Sequence, residues 1–265
     1  MKMITLYFLD IFSLSWRLFA RTISAKYRKS FLGYFWMFAP AIFITGGVTL
    51  ASRAGILNPG ETVLPYPLFV FFGTLLWLVF AESLDVGHRA FEGARSFLVR
   101  VRFPHEAIIL AQFYEVLITT AIRLALTMLL LLFFHHINAT ALWLVPLCFI
   151  GSLFLGLGLG MLLMPFTILF EDLRNTVKLI LSYGLFITPA MYLPEGDGLF
   201  ATIIRWNPVT PLMHAARESA GGVPLSSPGS LMVVLGIAFI ITVIGFTLVR
   251  TVAPVIIERM LMGGR

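Results

Sequence analysis

Six long apolar stretches, at residues 34–51, 68–84, 107–134, 141–170, 177–193 and 231–249, alternate with short connections that hold most of the charge. A bilayer core about 30 Å thick takes roughly 20 apolar residues to cross as a helix. Each stretch is therefore predicted as a transmembrane helix. Hydrophobic residues make up 59% of the 265-residue chain and charged ones 12%. A water-soluble fold of this size needs a more polar surface than that composition supplies. The predicted fold class is all-α, a polytopic integral membrane protein with six spans.

The residues before the first span follow a different pattern. Ile4, Tyr7, Ile11, Leu14 and Leu18 recur at helical spacing, while Asp10, Ser13, Arg17 and Arg21 fall on another face. This predicts an amphipathic helix, lying in the cytoplasmic interface or docked on a partner; Trp16 and Phe19 beside Arg17 and Arg21 favour the membrane surface. A basic cluster, Lys26, Arg28 and Lys29, then runs through Tyr27, Leu32 and Gly33 into Tyr34, Phe35 and Trp36. Lys and Arg side chains reach phosphate headgroups while Tyr and Trp settle at the interface. A plain membrane anchor has the same composition. Pro40 is expected to kink the first span.

Between the second and third spans, residues 86–106 form the largest inside connection. Phe91, Phe97 and Leu98 suggest the apolar stripe of a short helix, rimmed by Arg95 and Arg102 and stopped by Phe103-Pro104. Such a stripe suits docking into a groove on a soluble partner; a structured loop is the alternative. In the fourth span, Gly156 and Gly160 form a small-xxx-small pair suited to close helix packing, and Pro165 is expected to bend its end. They are no dinucleotide fingerprint, because no strand precedes them. Residues 193–230 are rich in Pro and Gly around apolar runs too short to cross. Short re-entrant outer helices before the last span are predicted there, with a plain extracellular loop as the alternative.

Charge then orients the chain. Lys2, Arg17, Arg21, Lys26, Arg28, Lys29, Arg89, Arg95, Arg100, Arg102, Arg174, Lys178, Arg250, Arg259 and Arg265 fall on one side of the predicted spans, against Arg53, Arg205 and Arg217 on the other. Basic loops stay cytoplasmic, so both termini are expected inside. The net charge of +6 thus comes from span ends and not from a nucleic-acid surface, which would gather its charges on one folded face. Glu115 and Arg123 lie within the third span, where a charge is costly and faces a partner. They are too far apart to pair along one helix, and Glu82 and Asp85 are the candidate partners. A substrate path and a structural ion pair are both open readings.

No catalytic residue is assigned. The five histidines are scattered without metal-ligand spacing, Cys148 stands alone, and no P-loop is present. No cleavable leader is read at the start, where Asp10 interrupts the apolar run. ATP-driven work would have to come from another subunit.

The motif Lys26-Tyr27-Arg28-x-Ser30-x-Leu32-Gly33-x-x-Trp36-x-x-x-Pro40 resembles the approach to the first span of ABC-2 transporter permeases that export polysaccharides. Val101-Arg102-Phe103-Pro104 resembles the family's cytoplasmic gate and coupling region, and Phe170-Glu171-Asp172-Leu173 its inside turn after the fourth span. Thr188-Pro189-Ala190-Met191-Tyr192 and Asn207-Pro208-Val209-Thr210-Pro211 are similar to its signatures around the outer gate. The match covers nearly the whole chain in order. Glu171 departs from it, standing where many relatives carry a basic residue, and nothing is carried over for the tail.

The resemblance implies one ABC-2 transmembrane domain over 1–265: an interface helix and loading segment (1–31), a six-helix membrane domain (32–250) and a cytoplasmic tail (251–265). It implies a bacterial inner-membrane homodimer with two ATPase subunits that bind ATP and Mg, no cofactor on this chain, and a lipid-linked polysaccharide such as O-antigen, capsule or a teichoic-acid-like polymer as substrate. Lys26, Tyr27, Arg28, Lys29, Leu32 and Gly33 would receive the lipid-linked phosphate. Phe97, Arg100, Arg102, Phe103 and Pro104 would meet the ATPase, and Pro189, Asn207 and Pro208 would form the outer gate. Tyr34, Trp36, Phe38, Tyr183 and Tyr192 are candidates to line the passage, because sugar rings stack on aromatic faces; a lipid-facing belt or bundle core is their other reading. Export of a small hydrophobic drug or natural product is the alternative within the superfamily. An enzyme acting on a polyprenyl lipid is the alternative outside it, with only Glu171-Asp172 as a candidate acidic site.

Overall fold

The computed structural model describes residues 2–27, 33–57, 60–98, 105–134, 142–193 and 198–262. Among them the secondary structure is helical, without a strand. Helix α1 (Lys2–Tyr27) leads to a 3-10 turn (Gly33–Met37) and α2 (Ala39–Arg53). Then come α3 (Tyr66–Leu84), α4 (Val86–Leu98), α5 (His105–Phe133), α6 (Leu144–Leu169) and α7 (Glu171–Tyr183). A second 3-10 turn (Gly184–Ile187) precedes α8 (Leu199–Trp206), α9 (Thr210–Gly221) and α10 (Pro228–Met262).

Four described helices, α3, α5, α6 and α10, are long and apolar enough to cross a bilayer. Helix α2 has 15 residues and α7 has 13. At about 1.5 Å per residue neither alone spans the hydrocarbon. Two local causes shorten them. Pro40 does not kink a running helix: it sits in the first turn of α2, where its missing N–H costs nothing, and the chain before it is wound as the 3-10 turn. The fifth apolar stretch is not one continuous helix over 177–193. Helix α7 starts earlier, after extended Phe170, and stops at Tyr183. Thr188 is extended, as a residue before proline prefers, and the helix cannot run through Pro189. Helix α10 does the reverse and continues past residue 250 to Met262.

Helix α6 is the centre of the molecule, touching α3, α4, α5, α7, α9 and α10. Its glycines make this possible. A Cβ on Gly156 would strike the carbonyl of Phe80, and one on Gly160 the carbonyl of Leu84, so α3 lies directly on that face. Gly158 faces the other way, where a Cβ would come 2.7 Å from the Thr242 nitrogen of α10. The Ser152 hydroxyl donates to the Leu76 carbonyl (3.1 Å) and the Thr242 hydroxyl to the Phe154 carbonyl (2.8 Å), fixing register on both sides. The predicted small-residue contact is thus present, and Pro165 lies buried within α6, which runs on to Leu169.

Helix α1 packs along α5. Its buried face is centred on Ile11, Ser15 and Phe19, with Leu14 and Leu18 half-buried beside it. Ser15 is tolerated there because its hydroxyl donates to the Ile11 carbonyl (2.6 Å). Phe19 and Trp16 meet the Tyr114 ring edge-on at 6.2 and 6.1 Å. Trp16 and Phe12 otherwise remain exposed, as do apolar faces of α2, α5 and α10. Such surface is stable only against lipid or another chain.

Candidate translocation site

At one end of the bundle the first 3-10 turn meets α3, α4 and α5. Gly33 opens that turn at φ +33, backbone that side chains rarely adopt. The turn is held by Arg123. Its guanidinium forks onto Glu82 (Nη1 to Oε2 2.9 Å, Nη2 to Oε1 2.5 Å) and reaches the Met37 carbonyl at 3.4 Å. The Thr119 hydroxyl also donates to Glu82 Oε2 at 3.4 Å. Arg123 is 1% exposed, so the pair offsets a charge that would otherwise be unaffordable in apolar surroundings. Of the two expected partners Glu82 is the one used; Asp85 turns instead to Arg89 at 3.2 Å.

Beside this pair lies a cavity of about 180 Å³ lined by Trp36, Met37, Glu82, Arg89, Glu115 and Thr119. Trp36 was expected as a passage aromatic and Glu115 as an intramembrane charge, and the fold brings them to one place. Among the other expected aromatics, Phe38 is half-buried against the core, whereas Tyr183 is exposed at the end of α7. Tyr192 donates its hydroxyl to the Phe186 carbonyl at 2.5 Å. The set is therefore divided between two regions. The side chains of Lys26, Tyr27 and Tyr34, and all of Arg28, Lys29 and Leu32, lie outside the described residues.

Helix α4 follows the same end. Phe91 is fully buried with Ala90 and Val86. It belongs to the chain's own core, against α5 and α6, and not to a stripe offered to a partner. Periodicity alone does not tell these two destinations apart. The Phe97 side chain and Arg100, Arg102, Phe103 and Pro104 lie outside the described residues. Glu92, on the other side of α4, accepts two hydrogen bonds from Arg174 Nη2 (2.6 and 2.7 Å), joining α4 to α7. His88 Nε2 stands 3.4 Å from Glu92. Burial, and then the Arg174 charge, hold the His88 imidazole below its usual range.

At the opposite end, the expected outer-gate residue Pro189 meets a buried side chain that the sequence pattern did not single out. Arg217 of α9 is 2% exposed and donates to three carbonyls: Pro189 (2.6 Å), Ala190 (2.7 Å) and Phe69 (3.0 Å). Its guanidinium carbon lies 3.5 Å from the Phe69 ring centroid. Gly73 makes the room, since a Cβ there would collide with Arg217 Nη2. Asn207 joins the two motifs by donating to the Thr188 hydroxyl (3.0 Å) and accepting from the Val209 N–H (3.0 Å). Pro208 sits exposed in the turn between α8 and α9. Helix α9 ends at Gly222 in the left-handed conformation, φ +73. The sequence signal for Arg217 is weak, since it follows the apolar residues of α9 and stands directly beside Glu218.

The fold and these two polar knots define a polytopic helical membrane protein whose packed helices are tied by buried charges at both ends. No family model matches the chain. It is similar to an O-antigen export system permease protein RfbA of Myxococcus xanthus, 28% identical over 73% of this chain and 74% of that protein. Two RfbA permease proteins of Klebsiella pneumoniae match at 25% identity over 86% of this chain and 87% of theirs, and at 24% over 75% and 76%. These relatives support the resemblance to ABC-2 type polysaccharide export permeases that the motifs carry.

Proposed function

We propose that this chain is the transmembrane subunit of an ATP-driven exporter that moves a lipid-linked polysaccharide from the cytoplasm across the bacterial inner membrane. The observation that carries the reading is the similarity to O-antigen export permeases over 73–86% of this chain. In this reading two copies form the passage and two separate ATPase subunits drive it. Both termini are cytoplasmic. Helices α2 and α7 complete six crossings by adding their adjoining 3-10 turns, and α8 with α9 forms the re-entrant outer pair.

The chemistry divides by region. Lys26, Arg28 and Lys29 hold the pyrophosphate or phosphate of the lipid carrier through charge-assisted hydrogen bonds. Gly33 and the turn tied by Arg123 set the mouth, with Trp36 offering the first sugar-stacking face. Exposed Tyr183, at the end of α7, offers a separate stacking face. Pro189, held by Arg217, gates the far side together with Pro208 and Asn207, which bonds Thr188 next to it. Phe97 and the 100–104 segment receive the ATPase.

Replacing Lys26, Arg28 and Lys29 together with Gln tests the loading role. Lipid-linked glycan is expected to accumulate inside the cell, with the ATPase still bound. Normal surface glycan in that variant would remove the phosphate-holding role.

A further inference from the structure

Helix α7 is anchored unusually. None of its residues is buried, although it connects the two ends of the molecule described above. At its start it is fixed by Arg174 on Glu92 of α4, with both carboxylate oxygens within 2.7 Å. Near its finish it is fixed by α3, where the Trp77 ring nitrogen donates to the Leu181 carbonyl (3.3 Å). Gly184 lies against the same ring, 2.7 Å from it if a Cβ is added. The next residues lead without a gap into the outer turn. The Thr188 hydroxyl donates to the Gly184 carbonyl (2.7 Å), and Pro189 and Ala190 carry the carbonyls that Arg217 grips. Between these ends its packing on α6 is shallow, with Val177 and Leu181 half-buried against the core and no residue fully buried, so the helix can shift as a unit when one end is displaced.

We propose that the Glu92–Arg174 pair is a coupling latch, passing movement of α4 through α7 to the Thr188–Ala190 turn. The proposal rests on the reading above, in which the ATPase works on the segment that follows α4. Both residues are positioning residues and touch no substrate. The pair is well suited to switching. One guanidinium nitrogen, Nη2, is shared between both carboxylate oxygens, a short charge-assisted contact that pivots on a single donor atom. Glu92 is half-exposed, and such pairs add little to fold stability, so the latch can open without unfolding the chain. The neighbouring charges Asp85, Arg89, Lys178 and Glu171 make the site sensitive to the sign of each partner.

Charge reversal tests this in the full transporter in native membranes. Glu92→Arg and Arg174→Glu are each expected to keep the ATPase bound and hydrolysing while surface glycan falls at least tenfold. The double swap is expected to restore at least half of wild-type export. Wild-type export in both single variants, or a double no better than either single, would overturn the latch.

A second readout does not depend on the ATPase. Cys148 is the chain's single cysteine and is buried, so Ile187→Cys adds the reactive thiol. Its maleimide labelling rate is expected to shift at least threefold with Glu92→Arg and to return in the double swap. An unchanged rate would overturn the latch even where the ATPase binds. Recovery of the wild-type chain without any ATPase would instead overturn the parent reading, leaving the labelling experiment to judge the latch.

Discussion

Two arginines hold this molecule's irregular backbone in place, and they do so by different means. Arg123 is paired with a carboxylate, so removing it leaves Glu82 without its counter-charge. Breaking a buried pair in this way typically costs about 3–5 kcal/mol, and Glu82 is partly exposed, so Arg123→Ala is expected near the lower end. The loss is read as a fall in melting temperature in detergent, and Glu82→Gln is expected to lower it too, because it leaves the buried Arg123 charge unpaired. Arg217 has no ion-pair partner among the described residues; it serves three backbone acceptors at once. Hydrogen bonds from a charged donor are worth about 1.5–3 kcal/mol each, so Arg217→Met is expected to be strongly destabilising. Arg217→Lys is expected to recover only part, because an ammonium cannot fork across separate carbonyls. Equal melting of Arg217→Met and the parent chain would remove this role.

Among the helices, α6 shows how much a missing side chain can organise. Gly160→Val would drive a branched side chain into the Leu84 backbone, which cannot yield as a side chain could. Overpacking of this kind costs about 1–3 kcal/mol, and a drop in thermal stability is expected. Gly236→Val is the control: nothing lies within 4 Å of a Cβ there, so little change is expected. This contact was legible in the sequence because the small-xxx-small spacing places both glycines on one face. Helix ends were less legible. Hydropathy averages over a window, so it carried the fifth stretch through Gly184 and Pro189, where local geometry breaks the helix. It likewise merged the 3-10 turn with α2, although Pro40 marks the helix start. In α4 the stripe was visible but its destination was not, since Phe91 faces inward. The segment after α4, proposed to receive the ATPase, makes its own prediction. Phe103→Asp is expected to release the ATPase in a pull-down, because a carboxylate buried in an apolar groove is costly. An intact complex would place the contact elsewhere.

At the scale of the whole molecule, the membrane class followed from composition, and the polar knots did not. Hydropathy identifies α3, α5, α6 and α10 because every residue in a span contributes to the signal. The Arg123 charge inside a span calls for a partner and narrows it to Glu82 or Asp85, but nothing local chooses between them across 41 residues. Glu92 and Arg174, 82 residues apart and outside the spans, carry no such mark. What unites them is that each ties an irregular or weakly packed segment to a rigid helix, at the places where a passage would have to open. The proposed role, permease half of an ATP-driven exporter of lipid-linked glycan, is tested directly by affinity purification from native membranes in mild detergent, with mass spectrometry of the bound proteins and glycolipid. A P-loop ATPase at equal stoichiometry is expected, together with a polyprenyl- or phospholipid-linked glycan. Recovery of the chain with no ATPase would contradict that role.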